Sequence, residues 1–132
     1  MDPVLDMSVV EELMSFADDG DPELVLDLIQ MFLDDGPGKV TAVVQGVASG
    51  DFERAERAAH SLKGSSGNLG ARLLSAVCEE VQNATRNHQV ADSQRLAPEL
   101  KRHYEAAEVE LRRLLAAMLA IVPLRDPEDG VR

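Results

Sequence analysis

Residues 59 to 70 read Ala59-His60-Ser61-Leu62-Lys63-Gly64-Ser65-Ser66-Gly67-Asn68-Leu69-Gly70. On a helix, positions i, i+3, i+4 and i+7 share a face. His60, Lys63, Gly64 and Gly67 therefore form one strip, and Ala59, Leu62, Ser66 and Leu69 another. The second strip is small and apolar and reads as the buried one. The first then faces water, carrying a nucleophilic imidazole, a cation one turn away and two positions without a side chain. A glycine inside a helix costs about 1 kcal/mol relative to alanine, and two follow His60 closely. Local rules broken in this way cluster at functional sites. The plainer alternative ends the helix near Gly64 and leaves His60 an ordinary surface residue.

Outward from this stretch the chain reads as helices. Upstream, Gly50 closes one helix and Asp51 caps the next, whose inner stripe is Phe52, Ala55, Ala59 and Leu62. The preceding helix starts with Asp21 as N-cap and Pro22 at its first position. Its expected buried face is Leu24, Leu28, Met31 and Phe32, and Val40, Val43, Val44 and Val47 resume the stripe after Gly36-Pro37-Gly38. An interior proline either kinks or breaks a helix. Further upstream, Ser8 and Glu11 fit a capping box for a short first helix with Val9, Leu13 and Phe16, ending at Gly20.

Downstream, Ala71 to Asn87 is the next helix, with Leu73, Leu74, Val77 and Val81 inward, and Asn87-His88-Gln89 is a connection. A last helix shows Leu96, Leu100, Tyr104, Ala107, Leu111, Leu114 and Met118 at spacings of three and four, with Pro98 near its start and Pro123 as its stop. Four amphipathic helices with short links predict an all-α fold: an antiparallel up-and-down four-helix bundle with a short extra N-terminal helix. The bundle is expected over residues 8–122, between a tail at 1–7 and a disordered acidic tail at 123–132.

The 132 residues suit one domain. With no tryptophan, one tyrosine and three phenylalanines, the core must be aliphatic, which favours helices over a sandwich or barrel. A net charge of −11 argues against nucleic acid and against anionic membranes. No apolar run is long enough to span a bilayer, and the N-terminus does not read as a signal peptide, so a cytoplasmic location is expected. Cys78 is the single cysteine and excludes an internal disulfide. It reads as a small core residue. Residues 51 to 72 hold Asp51, Glu53 and Glu56 against Arg54, Arg57, Lys63 and Arg72, which makes the segment around His60 the least acidic part of the chain.

The run His60-Ser61-Leu62-Lys63-Gly64-Ser65-Ser66-Gly67-Asn68-Leu69-Gly70 resembles the signature of histidine-containing phosphotransfer (HPt) domains. That signature is His, any residue, Leu, Lys, Gly, a run of small residues, then an apolar residue and Gly, and each diagnostic position is matched. The likeness covers roughly residues 8 to 120. It implies a bundle whose exposed histidine accepts a phosphoryl group from the aspartate of a response-regulator receiver domain and passes it to another receiver. It also implies one long helix through Gly36-Pro37-Gly38, and Nε2 as the attacking nitrogen.

A phosphoryl carrier needs a nucleophile available near neutral pH, which imidazole supplies. Lys63 can place a mobile positive charge beside the phosphoryl group. Arg57, one turn the other way, with Gly64 and Gly67, would form the receiver-docking surface, although Arg57 is as readily a solvated charge. Ser65 and Asn68 could hydrogen-bond the imidazole, although capping is the commoner role for such residues. His88 and His103 lack the motif, and no spacing suggests a metal site. The chain has no phosphate-binding glycine loop of the nucleotide-binding kind, so no cofactor is expected here and Mg2+ is expected in the partner receiver. The expected partners are receiver domains and a hybrid sensor histidine kinase, met as a monomer. A non-transferring helical adaptor for receivers or kinases is the competing class. A third candidate, the phosphoacceptor domain of a chemotaxis-type kinase, would be accompanied by dimerisation and ATP-binding domains.

Overall fold

The computed structural model describes residues 3–19 and 22–121. The expectations placed on Gly20, Asp21, Pro123 and the C-terminal tail lie outside them. Five helices follow in order: α1 (Met7–Asp19), α2 (Pro22–Ser49), α3 (Phe52–Asn68), α4 (Arg72–Arg86) and α5 (Val90–Ile121). No strand occurs among the described residues. α2 packs on α3, α3 on α4, α4 on α5 and α5 back on α2, which closes the antiparallel four-helix ring, while α1 rests on α2. Short links enforce the alternation. Ile29, Val43, Leu62, Leu74, Val81, Leu100, Leu111 and Met118 are fully buried, so the core is aliphatic as the composition requires. Cys78 is buried among them.

α2 runs unbroken through Gly36-Pro37-Gly38. Pro37 is exposed there while Gly36 is buried. A Cβ on Gly36 would lie 2.6 Å from Tyr104 Cζ and overlap the rest of the ring edge. The glycine thus marks the closest approach of α2 to Tyr104 on α5, and the ring also packs against Phe32 at 5.4 Å between centroids. Burial in this contact, more than the nearby Glu108 carboxylate, pushes the Tyr104 hydroxyl up to about 12.

The buried face expected of α2 is corrected. The buried face of α2 is Val25, Ile29, Phe32 and Leu33, whereas Leu24, Leu28 and Met31 are exposed. The helix carries two apolar stripes about one residue apart, and only neighbours in space decide which is core. Pro98, expected near the start of the last helix, lies inside α5, which starts at Val90 directly after the expected connection. Its side chain is exposed.

α1 is capped by Asp6 rather than by Ser8. The Asp6 carboxylate accepts from the Ser8 amide at 2.9 Å and the Ser8 hydroxyl at 2.7 Å. Its other oxygen meets Arg72 at 2.6 Å, and its amide donates to the Gly70 carbonyl at 2.7 Å. Gly70 has φ 81°, and a Cβ on it would lie 3.1 Å from Asp6 O and Val9 Cβ. Only glycine suits that conformation and that approach. One carboxylate thus caps α1 and ties it to the α3–α4 turn, which a serine hydroxyl could not do alone.

The Ser8 hydrogen bonds first, and then the Arg72 guanidinium, hold the Asp6 carboxyl below its ordinary value. The folded value being the lower one, this contribution is complete above the ordinary carboxylate range and is lost as pH falls through the lowered value. Asp6→Ala should therefore speed amide hydrogen exchange in α1 at neutral pH while leaving α3 and α4 protected. Acidification should loosen α1 in the wild type and add little in the variant. Unchanged α1 protection in Asp6→Ala would show that the cap does not hold the helix.

Candidate functional site

α3 begins where Asp51 caps it, the carboxylate accepting from the Arg54 amide at 3.2 Å. It continues past Gly64 to Asn68, so the helix does not end at the glycine. Ala59, Leu62 and Ser66 are fully buried, and the buried Ser66 hydroxyl is satisfied by the Leu62 and Lys63 carbonyls at 2.7 and 3.1 Å. His60, Gly64 and Gly67 are exposed and Lys63 partly so. A Cβ on Gly64 would meet nothing within 4 Å, and one on Gly67 only Ser75 Oγ at an ordinary 3.5 Å. Packing within the chain does not require either glycine.

The strip is completed by α4, in steps of four, three and four residues along both antiparallel helices. Glu56 faces Arg86 at 2.8 Å, His60 Nδ1 faces Gln82 Nε2 at 3.0 Å, and Lys63 faces Glu79 at 3.3 Å. The fourth rung is Gly67 against Ser75. Ser75 also ties the helices by donating to the Lys63 carbonyl at 3.2 Å. Sequence reasoning missed Gln82, Glu79 and Arg86. Their signal was present: Ser75, Glu79, Gln82 and Arg86 form a polar stripe at i, i+4, i+7 and i+11 on an otherwise apolar-faced helix.

Gln82 is buried while His60 is exposed, so the amide anchors the ring from its inner side. With Nδ1 engaged, Nε2 is the nitrogen left for reaction, and His60 lines a groove of about 610 Å³ with Glu53, Glu56, Arg57, Gln82 and Arg86. The oxygen and nitrogen of a glutamine amide exchange places by a half-turn. With the nitrogen toward the ring, Gln82 Oε1 is buried without a partner among the described residues. With the oxygen toward the ring it accepts from Nδ1–H, and that tautomer leaves the Nε2 lone pair free. A ring held this way is an oriented nucleophile.

The remaining candidates are placed as follows. The Ser65 hydroxyl donates to the Ser61 and Leu62 carbonyls at 3.3 and 3.2 Å, within its own helix. Asn68 is exposed and lines, with Ser65, a separate groove of about 360 Å³ that includes Leu28 and Met31. The imidazole partner is thus Gln82, not Ser65 or Asn68. Arg57 stands on the groove wall but pairs with Glu53 at 2.8 Å, both side chains largely in solvent. His88 is exposed with φ 54°, its ring 6.0 Å from Phe52, and His103 is only half-buried. Burial pushes the Cys78 thiol up to about 12, which makes it inert core rather than a second nucleophile.

The charge reading changes in space. Of the cations counted along residues 51 to 72, Lys63 is held by Glu79 and Arg72 by Asp6, both from outside the segment, and Arg57 by Glu53 within it, while Arg54 meets the Gln45 amide oxygen. The surface around His60 is therefore a set of closed ion pairs rather than a free basic patch. No group of three His, Cys, Asp or Glu side chains among the described residues could hold a metal. None of the described helices is long and apolar enough to cross a membrane.

Comparison with known proteins agrees with the fold. A solved structure of histidine-containing phosphotransfer protein B from Pseudomonas aeruginosa superposes with a TM-score of 0.77 at 23% identity, covering 89% of this chain and 98% of that one. Histidine-containing phosphotransfer protein 5 of Arabidopsis thaliana is 31% identical over 70 residues, 51% of this chain and 45% of that protein. Multistep phosphorelay regulator 1 of Schizosaccharomyces pombe is 26% identical over 80 residues, 61% of this chain and 27% of that protein. The chain thus matches less than half the length of either curated relative. The family model of the Hpt domain matches residues 27–120, which include the whole α3–α4 ladder, and the chain belongs to that family.

Proposed function

We propose that the chain is a phosphorelay intermediate: His60 accepts a phosphoryl group from the aspartate of a receiver domain and passes it to a second receiver. The observation that carries this reading is His60 itself, exposed on α3 with its inner nitrogen held by the buried Gln82. In the step, the Nε2 lone pair forms the N–P bond while the P–O bond to the receiver aspartate breaks. The bonding pair returns to that carboxylate, and the Nδ1 proton stays on the ring, donated to the Gln82 amide oxygen. Lys63 lies one turn away to offset the charge of the phosphoryl group.

The open space at Gly64, with no side chain at Gly67 beyond it, gives a receiver room to approach in line. Leu24, Leu28 and Met31 add exposed apolar surface on α2, and Leu28 and Met31 share a groove with Ser65 and Asn68 of α3. An apolar patch beside a reactive strip suits a docking protein better than a small substrate. The chain is read as a stoichiometric carrier that acts as a monomer in the cytoplasm. A hybrid sensor kinase supplies the donor receiver, and Mg2+ belongs to the receivers. Incubation with a phosphorylated receiver should transfer acid-labile, base-stable label to this protein, and label should return to a second receiver when one is added. Stable binding of the receiver without any label would overturn the reading in favour of an adaptor.

A further inference from the structure

Every cation beside His60 is occupied by a carboxylate. Arg57 pairs with Glu53, Arg86 with Glu56 and Lys63 with Glu79. The first two pairs are made at 2.8 Å, whereas the Lys63 pair is made at 3.3 Å, by side chains 38% and 58% exposed. Exposed pairs of this kind contribute little to stability, so Lys63 can leave Glu79 at small cost. Glu79 lies one turn from Gln82 on α4, and Lys63 one turn from His60 on α3. The carboxylate, the ammonium and the imidazole therefore occupy adjacent rungs of one ladder.

Resting on the phosphotransfer reading above, we propose that Glu79 is a positioning residue that competes with the phosphoryl group for Lys63. While His60 is unmodified, Glu79 holds the ammonium. When the N–P bond forms, the more highly charged phosphoryl oxygens draw the ammonium away, and the Lys63–Glu79 pair is broken. Giving up that pair raises the free energy of the phosphorylated carrier relative to the resting one. Glu79 thus keeps the group from settling on His60 and sets the balance between carrier and receiver. The pairs at Arg57 and Arg86 line the groove on the other side of His60 along α3 and do not involve the motif lysine.

The readout is the equilibrium ratio of labelled carrier to labelled receiver, approached from both directions. Glu79→Gln keeps the shape and removes the charge. It should raise the ratio about two- to fivefold, the range expected for one exposed ion pair, with melting unchanged. Glu79→Asp should stay near the wild type. In a Lys63→Ala background the same Glu79→Gln change should have no more than a fraction of that effect, because there is no ammonium to release. A ratio unchanged or lowered by Glu79→Gln, in a wild type that takes label normally, overturns the role of Glu79 alone. An equal rise in the Lys63→Ala background also overturns it, since the carboxylate would then act by direct repulsion. A wild type that takes no label at all removes the phosphotransfer reading and this inference with it.

Discussion

His60→Gln should abolish acid-labile labelling by a phosphorylated receiver while leaving the helical circular dichroism and melting unchanged. His60 is exposed, and the hydrogen bond its side chain makes is to Gln82. Leaving the buried amide unpaired would cost about 1–3 kcal/mol, but a glutamine at this position can offer it a replacement partner. No core contact is removed, since the buried neighbours Ala59 and Leu62 lie on the opposite face. The other two histidines cannot substitute. His88 sits in the α4–α5 turn with a left-handed backbone, and His103 is half-buried on α5. Neither belongs to the α3–α4 ladder that orients His60. Label persisting in His60→Gln, or mapped to either other histidine, would contradict the assignment.

The parts of this molecule legible in the sequence are those governed by one helix at a time. The 3.6-residue period separated His60, Lys63, Gly64 and Gly67 from Ala59, Leu62, Ser66 and Leu69, and the structure places these groups outside and inside as expected. The parts that were not legible depend on a second element. Leu24, Leu28 and Met31 have the same spacing as a core stripe, but Val25, Ile29, Phe32 and Leu33 face α3 and α5 instead. Gly36 reads as a helix breaker until Tyr104 is seen against it. Asp6 outcompetes Ser8 as a cap because Gly70 and Arg72, more than sixty residues away, complete its environment.

The same limit applies at the site. The motif pointed to the candidate nucleophile and the lysine, because both lie on α3. What orients the ring and what holds the lysine lie on α4, at matching steps along an antiparallel pair. Net charge counted along the chain was misleading for the same reason. Ion pairs close between helices, and a segment that is basic on paper presents neutralised cations in space. On the phosphotransfer reading proposed above, receiver selectivity rests less on long-range attraction, which closed pairs weaken, and more on clearance beside the imidazole and apolar contact on α2.

Clearance is where the largest loss of function without loss of structure is expected, at Gly64. It follows His60 by four residues and shares its exposed strip. A Cβ there would meet no atom within 4 Å, and the residue is not among the glycines with positive φ, which are Gly50 and Gly70. Neither internal packing nor backbone conformation calls for glycine, and the helix bears about 1 kcal/mol for keeping it. A side chain at this position would stand between the imidazole and an incoming receiver. In-line transfer needs the reacting atoms within about 3–3.5 Å, and a misplacement of about 1 Å can cost ~100-fold. Gly64→Gln should therefore melt at the same or a higher temperature than the wild type, yet transfer from a phosphorylated receiver at least ~100-fold more slowly. Gly64→Ala, with one methyl group, should share the gain in stability and lose far less rate. A markedly destabilised Gly64→Gln would mean that the glycine serves the fold. A stable variant that transfers at the normal rate would mean that receivers do not approach over this strip.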